Sequence, residues 1–541
     1  MRLGLRLRLY PQNLLWFGPA KGEKRDDRDC GRCGRFLQAI NLRCPYGRCP
    51  YGFAAWGERL RGVSSMSAFV GILVLLATVG AFVVIGLALV ARQQSVDGFV
   101  AARGEIGLSG STATMIATML GGWVMFSPPS ATAVGGVAVI VGYALGVAAP
   151  FLLFATLGPR LRAVWPQGYG VADYIYQQHG GLMYRAVLII MLILLLILLT
   201  TGLSALTMIV ASVAPVPREV VVLVTLIGVL LYTLPLGLRG SIITDQVQVY
   251  VILPLVAVLT VTGLVLLFGE THSAPMAFDA SLLSFTHPVG LPLGITLVFA
   301  ILFAELFNQA YWQRLYAAQS PAVARRSFLL AAAMVFVIVA VIASFGLVAQ
   351  AMGRANDGAM GAFLVIQGGL PAAMQAAVIV LGVALVMSSL DSLLSAVSSL
   401  VATEGPRALA QPADDNARAR LARGGILAAA LVAGLGAQFA GDILHLLLFA
   451  DLLCAAAAVP VFAGLYFQAW RGGAAFGVLI LGLLAGGAWF PIQNGFAPGV
   501  LEMLLPGSAW ADATYWKAFL AATLVTGAAT AAWLTVWPER D

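Results

Sequence analysis

Apolar runs long enough to cross the ~30 Å hydrocarbon core of a bilayer recur from Ala68 to the C-terminus. They predict thirteen spans, over residues 68–91, 111–136, 139–163, 186–213, 219–238, 244–269, 292–312, 327–352, 373–404, 421–440, 442–469, 471–491 and 516–537. The chain therefore reads as an all-α polytopic membrane protein. Within the ninth span the pattern changes. Ser388, Asp391, Ser392, Ser395, Ser398 and Ser399 stand at offsets 0, 3, 4, 7, 10 and 11, one face of a helix, with Ser389 beside it. A carboxylate facing lipid at bilayer depth costs roughly 2.5–3.5 kcal/mol on insertion scales, so this face is expected to meet a wet cavity, an ion or another helix. Serine used as small-residue glue between helices explains the same pattern without an ion.

Two further spans look interrupted. The second contains Gly121, Gly122 and Trp123, then Ser127, Pro128, Pro129 and Ser130, a run that relaxes a helix and removes backbone donors. The seventh carries Glu305, Asn308 and Gln309 before Tyr311, Trp312, Gln313 and Arg314. These spans are five apart, the spacing of two five-helix halves repeated with inverted topology around discontinuous helices. The organisation expected is a tail over 1–66, a first transmembrane helix and loop over 67–110, inverted repeats over 111–269 and 292–469, and two peripheral helices over 470–541. A proline kink with no ligand is the alternative for the second span.

Composition agrees with a membrane protein, at 60% hydrophobic and 10% charged residues. The net charge of +7 is uneven: residues 1–66 hold 13 Lys/Arg against 5 Asp/Glu, and the remainder holds 18 against 19. The basic balance thus belongs to the tail, and no nucleic-acid partner is expected. Cys30, Cys33, Cys44 and Cys49 lie in that tail, with a C-x4-C second pair and no histidine nearby, a poor zinc pattern. The tail reads as an overextended start, with Met66 as the initiator. Cys454, in an apolar run, reads as packing.

Loop charges set the orientation. With the C-terminus cytoplasmic, the inside segments and span ends hold fifteen arginines: Arg92, Arg103, Arg160, Arg162, Arg185, Arg239, Arg314, Arg325, Arg326, Arg407, Arg418, Arg420, Arg423, Arg471 and Arg540. The outside keeps Arg218, Arg354 and Lys517. The positive-inside bias then predicts an outside N-terminus in the cell (inner) membrane.

Several motifs, in order and at matching span positions, give a resemblance to the sodium:solute symporter family, which includes the sodium/proline and sodium/galactose carriers. They are DGFVAARGEIG after the first span, GYALG and GPRLR around the third, GLRGSIITDQVQ opening the sixth, YWQRLYAAQS closing the seventh and MSSLDS in the ninth. The likeness runs from about Ala68 to Trp470. It implies a ten-helix inverted-repeat core and a sodium site made by the carbonyls of Ala117, Leu120 and Leu385 with the hydroxyls of Ser388 and Ser389. Such neutral oxygen ligands suit a hard cation that must also be released. Asp245 matches a family aspartate on the ion's inward path; capping or pairing with Arg239 explains it equally. Asp391 and Ser392 are expected to serve the ion path or coupling. Met119 departs from the family, which has a polar residue there. Asp391 on the facing helix is a candidate to compensate, and weaker or proton coupling is the alternative.

A cavity bordered by Trp123, Ser127, Ile301, Glu305, Asn308, Gln309 and Trp312 would suit a small polar solute with an apolar side. Gly122-Trp123 with Pro129 resembles the proline carriers, and NQAYWQR the urea-type branch. No cofactor beyond a coupling sodium ion is implied, and the partners expected are the solute and the bilayer. An enzyme is not expected, since His179, His272, His287 and His445 are scattered and no nucleotide-binding loop occurs. A membrane sensor would need an output module, and four residues follow Trp537. The function expected is sodium-coupled symport by alternating access, with proton-coupled or uncoupled transport as the alternative.

Overall fold

The computed structural model describes residues 66–89, 96–268, 279–351, 372–410, 413–440, 443–467, 470, 472–491 and 514–536. The expectations for the 1–65 tail and its cysteines lie outside these residues, as do Arg92, Arg354, Arg471 and Arg540. The long elements are α1 (Ala68–Leu89), α2 (Leu108–Met119), α3 (Ser127–Gly135), α4 (Val137–Val164), α5 (Val171–Val213), α6 (Arg218–Phe268) and α7 (Gly290–Phe307). They continue with α8 (Gln309–Ala317), α9 (Pro321–Ala351), α10 (Ala372–Ser399), α11 (Asp415–Phe439), α12 (Ile443–Phe462), α13 (Gly472–Trp489) and α14 (Tyr515–Val536). No strand occurs among the described residues, only an isolated bridge between Ile106 and Ala318.

Eleven of the described helices are long and apolar enough to cross a membrane. The second span escapes that criterion because it is broken into α2 and α3. The 51 residues of α6 would run roughly 77 Å at ~1.5 Å per residue, more than twice the hydrocarbon thickness. It is two spans joined at Gly237, whose φ of 58° and ψ of −145° leave the helical region. Counted this way the thirteen spans are recovered. A second interruption at Gly180 sets a short N-terminal segment of α5 apart from its long apolar part.

Burial ranks the helices. The most apolar window of α10 is 89% buried, against 28% for α1 and α13 and 22% for α14. The serine-bearing helix is thus the axis of the bundle, and α1, α13 and α14 lie at its periphery. α4 and α7 approach as closely as backbone allows: a Cβ on Gly142 would sit 2.4 Å from the Gly294 Cα. Beyond α10 the chain makes one π-helical turn, Leu400–Glu404, which carries Glu404 into the interior.

Both predicted interruptions are present. α2 stops at Met119, Leu120 makes a tight γ-turn and Gly121 is extended, Gly122–Met125 form one 3-10 turn, and α3 starts with Pro128 and Pro129 in its first turn, where a missing N–H costs nothing. α7 stops at Phe307, and Asn308 turns the chain into α8.

Candidate functional site

The first break frees a carbonyl. In a continuous helix the Ala117 oxygen would accept from the N–H of residue 121, but that N–H turns to the Met119 carbonyl, 3.0 Å away. Ser388 of α10 takes its place: its Oγ lies 3.1 Å from the Ala117 oxygen and 3.0 Å from the Leu385 oxygen, sharing one proton between them. Ser389 Oγ lies 3.1 Å from the carbonyls of Leu385 and Val386. It also sits 3.2 Å from where a side chain on Gly121 would begin, beside the turn at Leu120. Ala117, Leu120, Leu385, Ser388 and Ser389 are all buried. Close approach depends on Gly122, where a Cβ would meet Val386 Cγ2 at 2.6 Å and Ala205 Cβ at 3.0 Å.

About one turn along α10 lies a charged cluster. Asp391 accepts hydrogen bonds from the Tyr232 hydroxyl (2.6 Å), Ser241 (2.7 Å) and Thr244 (3.0 Å), all on α6. It therefore faces α6 and does not replace the polar group missing at Met119, whose sulfur instead contacts the Tyr311 hydroxyl at 3.6 Å. Asp245 accepts from Thr114 and from Arg314 Nη2 at 3.1 Å. The pairing with Arg239 is not formed, since Arg239 engages Glu105 at 3.1 Å. Ser392 joins the two acids, lying 3.4 Å from Asp391 and 3.5 Å from Asp245, with Thr118 of α2 at 3.2 Å.

Arg314 stands by sequence position among the inside segments and span ends, which does not reveal it as a site residue. It is 1% exposed and belongs to the bundle interior. Its guanidinium donates to Thr114, the Ala310 carbonyl, Ser241, Asp245 and Ser392. Fourteen arginines then remain for the inside count against three basic residues outside.

The residues expected around the solute divide into three groups. Trp123 stacks on Tyr143 (centroids 6.2 Å apart), whose hydroxyl lies 2.6 Å from Ser127 Oγ, beside the first break. Ile301 lies earlier on α7 against Gly146 of α4, and Glu305 and Asn308 belong to the second break. There the Asn308 side chain caps α8 by accepting from the Ala310 N–H and donates to Glu305 Oε2 at 2.8 Å. Trp312 and Gln309 are held in packing. The Trp312 ring, 1% exposed, sits edge-on to Phe154 and donates to the Leu306 carbonyl. Gln309 Nε2 donates to the Tyr169 carbonyl.

At the end of the bundle that carries most of the arginines, a second ionic cluster ties the π turn to the start of α5. Glu404 accepts from Tyr184 at 2.7 Å and from Arg407 at 2.8 Å, and Arg407 also reaches Asp173 at 2.9 Å. Between this cluster and Ser392, the buried oxygens Ser395 Oγ, Ser398 Oγ, Gln309 Oε1 and Gln313 Oε1 have no hydrogen-bond partner among the described residues.

Two helices interrupted five spans apart, with buried oxygen atoms gathered where the first meets the central helix, define the architecture of membrane transporters built on inverted repeats. Among solved structures, the chain is similar to the substrate-bound outward-open state of a Na⁺-coupled sialic acid symporter. The TM-score is 0.68 and the identity 15%, covering 87% of this chain and 98% of that one. At that identity the likeness is one of fold. No family model matches the sequence, and no curated protein does.

Proposed function

We propose that the protein is a secondary transporter of the sodium:solute symporter class, which couples Na⁺ entry to uptake of a small polar organic solute by alternating access. The observation that carries this reading is the Ala117 carbonyl, released by the break in the second span and met at 3.1 Å by the hydroxyl of Ser388. With Leu120, Leu385 and Ser389 it supplies five neutral oxygens to a hard cation. Rotating the two hydroxyls turns their lone pairs inward and makes a cage from groups that now bond to one another. The fold shared with a Na⁺-coupled symporter supports the same reading. The solute class is an amino acid such as proline or a urea-like compound, and the orientation is N-terminus outside and C-terminus cytoplasmic.

The Ser388→Ala/Ser389→Ala variant removes two ligands and leaves the helix intact. Reconstituted in proteoliposomes, it should lose sodium-dependent uptake while remaining folded. Uptake that keeps the wild-type response to a sodium gradient would overturn the assignment.

A further inference from the structure

The ion site leaves two carboxylates unused. Glu305 stands in the last turn of α7, with one oxygen bonded to Asn308 at the second break. Asp451 lies mid-way along α12, is 7% exposed, and accepts no hydrogen bond among the described residues. α7 and α12 pack together, and the two carboxylates lie within each other's electrostatic reach. None of the ion pairs among the described residues includes either acid. Arg314, the fully buried arginine, is committed to Asp245. The backbone adds to the imbalance. α7 ends at this point, and the carbonyls of a helix C-terminus carry about half a negative charge.

An uncompensated buried carboxylate is expensive, and a second acid nearby raises the cost. Asp391 solves the problem with three hydroxyl donors and Asp245 with a guanidinium. Asp451 has neither. Among the described residues nothing complements it, and a cation bound beside it would.

The geometry points to a solute carrying an alkylammonium group, held between Asp451 and Glu305 at the second helix break. This rests on the transport reading and narrows it: an ammonium solute fits, and a neutral urea-like one does not. The sodium ion stays at the first break, so ion and solute occupy different interruptions.

The test is ligand-dependent thermal stabilisation of the purified full chain in NaCl. The probes are butylamine and choline, set against butanol and the neutral tert-butyl analogue of choline. At least one ammonium probe should stabilise the wild type and its neutral partner should not. Asp451→Asn should raise the half-saturating concentration about tenfold or more, and Glu305→Gln provides the same test if Asp451→Asn does not fold. Stabilisation by no ammonium probe, equal stabilisation by a neutral partner, or unchanged affinity in both variants would each overturn the proposal. The sodium site is scored on a separate arm, NaCl against KCl without solute. That response should persist in Asp451→Asn and vanish in Ser388→Ala/Ser389→Ala, so failure of one reading is distinct from failure of the other.

Discussion

Removing the Arg314 guanidinium should destabilise the bundle more than any other single charge change in it. The side chain is fully buried, its five hydrogen bonds tie α8 to α2, α6 and α10, and it pairs with Asp245 at 3.1 Å. Arg314→Met keeps most of the volume and leaves Asp245 without its cation, for which a loss of about 3–5 kcal/mol is expected. Arg314→Lys keeps the charge but not the planar fork, so it should lose about 1.5–3 kcal/mol as bonds to Thr114, Ser241 or the Ala310 carbonyl go unmade. Arg314→Met/Asp245→Asn removes the pair together. It should recover about 2 kcal/mol or more of the single-variant loss, because the stranded carboxylate is gone. Reversible unfolding in mixed micelles measures the cycle. A methionine variant within about 0.5 kcal/mol of wild type, or a double variant no better than the single, would refute the view that this is a paired and desolvated cluster.

Three other outcomes are expected. Gly122→Ala forces a methyl against Val386 and Ala205, at a cost of about 1–3 kcal/mol, and half-saturating sodium for uptake should rise with little loss of expression. Glu404→Gln weakens the bonds from Tyr184 and Arg407 that tie the π turn to α5. The loss of about 1–2 kcal/mol should raise maleimide labelling of a cysteine at Ser398 roughly five- to thirtyfold in a cysteine-free background. Met119→Ser puts a hard oxygen beside the first break in place of a thioether, and half-saturating sodium should fall about threefold.

The spans were legible because hydrocarbon thickness forces long apolar runs, and both interruptions because glycine, proline and amides punctuate them. The serine face of the ninth span was equally legible, since one helical period gathers six polar positions that lipid would reject. What each polar group faces was not legible. Asp391 and Ser388 share that face, yet one meets hydroxyls on α6 and the other a carbonyl on α2, a distinction made by tertiary contacts. Arg314 closes the seventh span, where position alone reads as an inside span end; the four acceptors that draw it inward come from three other helices. Asp451 did leave a signal, a lone acid inside an apolar run, which by itself marks a functional position in a membrane helix. The run around it, rich in alanine and leucine, reads as plain packing.

The two breaks are satisfied in different ways, and the difference bears on how labour is divided between them. At the second break the helix ends are satisfied from nearby in the chain: Asn308 caps α8 and reaches one oxygen of Glu305, and the Trp312 indole takes the Leu306 carbonyl. All of these partners are local in sequence, so α7 and α8 keep their relation whatever the rest of the bundle does. At the first break the Ala117 carbonyl depends on a hydroxyl from α10, 271 residues away. That contact holds only while the two helices stay together. A neutral hydroxyl-to-carbonyl bond contributes about 1 kcal/mol net, so little is lost in exchanging it for an ion that both oxygens can ligate. The first break is therefore the one whose closure an incoming sodium ion would stabilise, and whose opening would release it. The charged groups of Arg314, Asp245 and Asp391 are fixed one turn away in bonds of their own, and a cation at the proposed site would meet only dipoles.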